Sequence, residues 1–132
     1  MNSGLRNRIW KRLCGLALWG AIAFSVFLAI VPSAVALDYN KESLIETDFS
    51  GRDLTDSSFS HANLRSSNFS HANLEGVSLF AANLDSANLE GANLASATLD
   101  SARLTRANLT NAILEGAFAA NTKFDGAVID GA

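Results

Sequence analysis

The side chains able to do chemistry in this sequence are few and scattered. His61 and His71 lie ten residues apart, and Cys14 is the single cysteine. Serines and aspartates occur throughout residues 42–132 as members of a short repeating unit. A metal site needs several His, Cys or carboxylate ligands converging on one point. Nucleophilic catalysis needs a Ser or Cys beside a base that is itself oriented. No such residues cluster at ligand spacing, and no Ser–His–Asp grouping stands out from the repeat. Asn108-Leu109-Thr110 formally fits a glycosylation acceptor, but it is one repeat unit among many. The sequence therefore assigns no catalytic, cofactor-binding or metal-binding residue, and no cofactor is expected.

Charge and hydropathy divide the chain near residue 36. Arg6, Arg8, Lys11 and Arg12 form a basic head, and Leu13–Val31 is an uncharged apolar run. Pro32 then breaks the helix, and Ala34-Val35-Ala36 supplies the small residues of a signal-peptidase site. Residues 1–36 are expected to be an export signal cleaved before Leu37. The alternative is an uncleaved anchor, since 19 apolar residues at 1.5 Å per residue span about 28 Å. In either case the remainder is translocated, and any membrane contact is confined to residues 1–36. From Leu37 onward thirteen acidic residues face six basic ones, a net charge of −7. That balance favours solubility and disfavours binding to nucleic-acid phosphates.

The organising feature is a period of five. From Leu44 to Ile129, seventeen of the eighteen positions five apart are Leu, Phe or Ile, with Ala119 the exception. Two residues earlier stands a small residue, mostly Ala, and the position between favours Asn, so the unit reads Ala-Asn-Leu-x-x. A helix advances about 100° per residue, so a step of five smears the Leu around its axis. A flat strand throws residues at odd spacing to opposite faces. Only a chain that turns once per repeat keeps every Leu inward, with Ala beside it and Asn outward. The last two positions form the corner. Gly51, Gly76, Gly91, Gly116, Gly126 and Gly131 occupy the second of them, where a positive φ costs glycine little. Stacked coils pair their backbones about 4.8 Å apart. Three or four corners per coil both close.

Ala62-Asn63-Leu64, Ala82-Asn83-Leu84-Asp85-Ser86 and Ala92-Asn93-Leu94 resemble the pentapeptide-repeat family. The resemblance covers essentially all of residues 42–132. It implies an all-β fold, a right-handed quadrilateral β-helix with four repeats per coil. The domain reading is a signal or anchor helix over 1–36, a short cap or linker over 37–43, and the β-helix over 44–132. An export signal on a short chain whose mature start is Leu37-Asp38-Tyr39-Asn40-Lys41 also resembles thylakoid-lumenal members of cyanobacteria and chloroplasts. Their molecular role is undefined, so the resemblance implies a location, thylakoid lumen or periplasm, and no activity.

With four repeats per coil, residues twenty apart stack and the walls can be read. Arg65, Arg103, Arg106 and Lys123 fall on the wall of Leu64, Leu84, Leu104 and Phe124, with Asp85 and Asp125. This row reads either as a solvated mixed-charge wall or as a docking surface for an acidic partner. The wall of Phe59, Leu79, Leu99 and Ala119 has one charge, Asp100, and directs Phe80 and Phe118 outward. Ile113 is outward nearby. Phe80, Ile113 and Phe118 are the candidate surface for a protein partner or for self-association. The alternative is a local irregularity at Ala119 that turns Phe118 inward. Rings at Phe49, Phe59 and Phe69 are expected to seal the first coils. His61 and His71, half a coil apart, fall at opposite corners as two solvated residues. At the far end no capping helix follows, so either towers stack end to end or the sequence continues beyond this piece.

The function expected is that of an exported, non-catalytic scaffold or interaction module. The alternative is a DNA-mimicking acidic inhibitor of a topoisomerase, a role of some pentapeptide-repeat proteins, suggested by the −7 charge. The export signal, the short tower and the basic row count against it.

Overall fold

A computed structural model describes residues 36–132. The expected export signal, apart from Ala36, lies outside the described residues.

Asp38 bridges Ser58, Ser43 bridges Asn63, Asp48 bridges Asn68 and Asp53 bridges Asn73, all in parallel. The same step of twenty residues continues to the Asn108–Val128 pair. Four repeats thus make one coil, and the tower has four flat walls. In chain order these are the Phe59 wall (Tyr39, Phe59, Leu79, Leu99, Ala119), the Leu64 wall (Leu44 to Phe124), the Phe69 wall (Phe49 to Ile129) and the Leu74 wall (Leu54 to Leu114). The segment 37–43, expected as a cap or linker, is wound as part of the first coil. Asp38 is bridged, Lys41 has the corner conformation, and Glu42 N donates to Tyr39 O at 3.1 Å.

Why each repeat has its composition follows from its amide hydrogens, taking Ala92 to Ser96 as the example. Ala92 N closes a turn onto Leu89 O at 3.0 Å, and Asn93 N donates down to Ala72 O at 3.0 Å. Leu94 N and Ser96 N donate up to Ile113 O and Glu115 O at 2.7 and 2.9 Å. The fifth amide, Ala95 N, faces neither neighbouring coil. It donates to the side-chain oxygen of Asn93 at 3.1 Å, an Asx turn. All five donors are satisfied, as a backbone wound this tightly requires. Asn93 Nδ2 then donates to Asn73 Oδ1 one coil below at 3.1 Å, so the Asn residues also form a ladder along the wall. Asp48 and Asp53 supply the same turn in the first coil.

The inward residues form one continuous core. Leu54, Leu64, Leu74 and Leu79 through Leu109 are 0–1% exposed, and the Ala residues two positions earlier are equally buried. At the N-terminal end the core is aromatic. Tyr39 stacks on Phe59 at 4.7 Å, and Phe49 stacks on Phe69 at 4.9 Å from the opposite wall. The two stacks meet edge to face, Phe49 on Phe59 at 5.6 Å and Phe59 on Phe69 at 5.8 Å. Tyr39 thus extends the expected aromatic seal into the first rung. Ser57 and Ser67 replace Ala in the core and are satisfied there, Ser67 Oγ donating to Leu64 O at 2.6 Å and Ser57 Oγ accepting from Leu37 N at 3.2 Å.

The corners correct one expectation. Every corner from Lys41 to Gly131 has a positive φ, thirteen at non-glycine residues and six at Gly. Each turn closes a 4→1 bond with the positive φ at its third residue, a type II turn. A left-handed φ costs most L-residues about 1–2 kcal/mol and Asn or Asp less; beyond Asp56, Asn111 and Asn121, ten non-glycine corners bear that strain, so conformation alone does not select glycine. Space does at several corners. A Cβ on Gly91 would lie 2.5 Å from His71 Nδ1, and one on Gly76 would lie 2.5 Å from Asp56 Oδ1. The Asp56 and His71 side chains lean along the axis onto the next coil, and a glycine there receives them. At Gly51 nothing lies within 4 Å. Gly51→Ala should therefore cost only the strain of the left-handed conformation, about 1 kcal/mol. Gly91→Ala should cost more, and His71→Ala should remove the excess in a double-mutant cycle followed by urea denaturation. Equal costs at the two glycines, or no relief from His71→Ala, would show that the ring is not what holds glycine at 91.

Candidate functional site

The position before each central residue is where the repeat needs Asn, Asp or another short acceptor to hold the fifth amide. From residue 63 to 98 it holds only Asn, Ser or Thr. Beyond that it holds Arg103, Asn108, Ile113, Phe118, Lys123 and Val128. Arg, Ile, Phe, Lys and Val side chains have no acceptor to close the Asx turn. Among the described residues, the amides of Thr105, Glu115, Asp125 and Asp130 find no protein acceptor, and neither do those of Arg65, Phe80 and Asp100, which follow Asn63, Ser78 and Thr98. Ala120 N is rescued by Asp100 Oδ1 at 2.7 Å. Five of these six side chains thus forgo a hydrogen bond that the fold offers, and all five are exposed.

Phe118 is 63% exposed and Ile113 52%, while Phe80 is 43% exposed. The inward rotation considered for Phe118 does not occur, because the Thr98–Phe118 bridge keeps the wall in register. Phe80 and Phe118 share the Phe59 wall, with Thr98 and Asp100 on the rung between them. Two rung spacings put their strands about 10 Å apart. Phe80 is braced from below by the ring of His61, edge to face at 5.5 Å. Ile113 is on the adjoining Leu74 wall, paired with Asn93, so the three do not lie on one flat surface. Of four further exposed apolar residues, Phe124 at 37% and Ile129 at 58% stand at inward positions of the last coil, whereas Ile45 at 45% and Val128 at 46% escaped the sequence reading. The same twenty-residue register marks both as outward.

All four cations after Arg52 lie on the Leu64 wall or its corner. Arg106 reaches back one coil and binds both oxygens of Asp85, each at 2.9 Å. Burial pushes the Asp85 carboxyl up, and the Arg106 guanidinium outweighs it, holding the group below the usual carboxylate range. Arg103 and Lys123 occupy adjacent rungs as a directly bridged pair. Neither has an ion-pair partner among the described residues. His61 and His71 lie at opposite corners, and among the described residues no three His, Cys, Asp or Glu side chains gather as a metal would require.

Because the Asp85 carboxyl is depressed in the folded state, its pair contributes stability above the unfolded carboxylate value. That contribution is lost as pH falls through the folded one. The thermal-melting advantage of the protein over its Asp85→Asn variant should be full at pH 7 and vanish in strong acid. An advantage that persists unchanged at pH 2 would assign it to packing instead.

Comparison with known proteins agrees with this geometry. A family model described as a pentapeptide repeat region matches residues 52–132. A pentapeptide repeat protein of the Arabidopsis thaliana thylakoid lumen is similar at 42% identity and TM-score 0.67, over 69% of this chain and 63% of that one. The chain therefore spans less than two thirds of that protein's length. Rfr23, a pentapeptide repeat protein of the cyanobacterium Cyanothece 51142, is similar at 33% identity and TM-score 0.71, over 75% of this chain and 68% of that one. No curated protein matches the sequence. Such proteins form right-handed quadrilateral β-helices, and the handedness of the tower is that of the family.

Proposed function

Since the chain belongs to the pentapeptide-repeat family, we propose that it is an exported, non-catalytic scaffold that presents its upper coils to a protein partner. The observation that carries the reading is the loss of the Asn consensus at residues 103, 113, 118, 123 and 128, which places apolar or basic side chains in solvent and, at all of these but 118, leaves the amide two residues on without an acceptor. Residues that weaken the fold's own bonding need a reason outside the fold. Exposed aromatics such as Phe80 and Phe118 are the type of side chain that anchors protein interfaces. A topoisomerase-inhibiting DNA mimic is the second reading, favoured by the −7 charge after Leu37. The cationic row on the Leu64 wall interrupts the uniform negative surface such mimicry needs.

Export rests on the basic head, apolar run and Ala-Val-Ala site, and on likeness to a thylakoid-lumenal protein. The product recovered from the lumen or periplasm should begin at Leu37 by N-terminal sequencing. Recovery from the cytosol with residues 1–36 intact would overturn export and favour the DNA-mimic reading. For the surface itself, replacing Phe80 and Phe118 with Ser should abolish capture of the partner from the native compartment, or self-association in sedimentation, with the circular-dichroism spectrum unchanged. Capture and sedimentation identical to the parent protein would reject the aromatic wall as the site.

A further inference from the structure

Arg103 and Lys123 are the two side chains on the Leu64 wall that the fold does not explain. They stand where the repeat uses Asn, and the amides two residues beyond them lack the Asx acceptor. They are stacked on adjacent rungs of a parallel pair, about 4.8 Å apart at the backbone. Like charges directly opposite one another destabilise a sheet. The nearby carboxylates do not relieve them, for Asp85 is taken by Arg106 through both oxygens, and Asp125 makes no ion pair among the described residues. The chain thus bears a repulsion and forgoes two hydrogen bonds to hold two exposed cations together.

Their place in the tower matters as much as their charge. Lys123 follows Phe118 by one repeat, and Arg103 follows the rung of Leu99, which lies between Phe80 and Phe118. The Phe59 and Leu64 walls meet along the corner residues His61, Ala81, Ser101 and Asn121. That edge therefore has aromatic side chains on one side and unpaired cations on the other. Asp100, the one carboxylate beside it, is engaged by Ala120 N. Seven of the thirteen carboxylates lie on the other two walls, the Phe69 and Leu74 walls. At about 0.15 M salt, exposed charges more than about 8 Å apart are largely screened, so the potential at this edge is set by the charges beside it, Arg103 and Lys123 with Asp100 and Asp125, and not by the total of −7.

We propose that the edge between the Phe59 and Leu64 walls docks an acidic partner segment, one that carries carboxylates beside apolar side chains. Arg103 and Lys123 receive the carboxylates, and Phe80 and Phe118 receive the apolar side chains. This rests on the partner-binding reading above and specifies the partner's chemistry.

The test uses a fluorescein-labelled eight-residue peptide alternating Glu with Leu, and its Gln and Lys counterparts. Binding to the protein purified from its native compartment is followed by anisotropy at about 50 mM salt. The Glu peptide should bind about tenfold more tightly than the Gln peptide, the scale of two exposed charge contacts. The preference should shrink as salt is added and disappear in R103Q/K123Q, whose fold circular dichroism checks. F80S/F118S should weaken the Glu and Gln peptides alike. If R103Q/K123Q abolishes the preference but F80S/F118S changes nothing, the cation pair stands and the aromatic wall falls. Equal binding of the Glu and Gln peptides, no binding of the Glu peptide, or preference for the Lys peptide would overturn the proposal. Salt-sensitive self-association lost in R103Q/K123Q, without peptide binding, would identify a second copy as the occupant and overturn it as well.

Discussion

The regular unit of the tower rests on one constraint, that a backbone turning every fifth residue has five amides for which to find acceptors. Neighbouring coils accept three, and the turn accepts a fourth. The fifth points along the wall, where only a side chain can meet it, and Asn two residues earlier does so while donating its own amide to the coil below. The outward Asn is thus a structural part of the strand in the same sense as the inward Leu. Neither could be replaced freely without leaving either an unbonded donor or a gap in a core that is almost wholly inaccessible to solvent.

A fold held in this way has an outer surface largely dictated by its own bonding, which makes departures from the unit informative. Several exceptions in the first coils have structural explanations. Asp48 and Asp53 make the Asx turn as well as Asn does, and Ser57 and Ser67 are bonded within the core. Arg52, at a position held from residue 57 onward by Ser, Ala, Val or Thr, lies over the ring of Phe49 at 5.8 Å. In the last coils the exceptions have no such explanation, and Ile113, Phe118, Lys123 and Val128 face outward from four different walls. A rigid wall has little freedom to reorganise around them. Whatever meets these side chains meets them in fixed positions, which limits the ordering cost of association.

Corner strain is shared out by the same logic. Thirteen non-glycine residues hold a left-handed φ because the four-cornered coil over-determines the turn. Glycine enters where a neighbour leans in, as His71 does over Gly91. The corner sequence therefore records contact between successive coils as well as dihedral preference, and it does so at a spacing of twenty residues, where no local rule looks.

The period of five, the inward Leu and Phe and the outward Asn were legible in the sequence, because each is a local consequence of one turn per repeat. The outward register of Phe80, Ile113 and Phe118 followed from the same count. What the residues alone left open was the number of corners, since three or four both close a coil. Only the parallel pairing of residues twenty apart decides for four, and it decides which side chains become neighbours. That Arg106 satisfies Asp85 while Arg103 and Lys123 stack without a counter-ion could not be read from a list of charges on one wall. Nor could the bracing of Phe80 by His61, or the winding of residues 37–43 into the first coil. All of these depend on contacts between coils. The sequence specified a chain that must wind, and the stacking of one coil on the next determined what each wall presents.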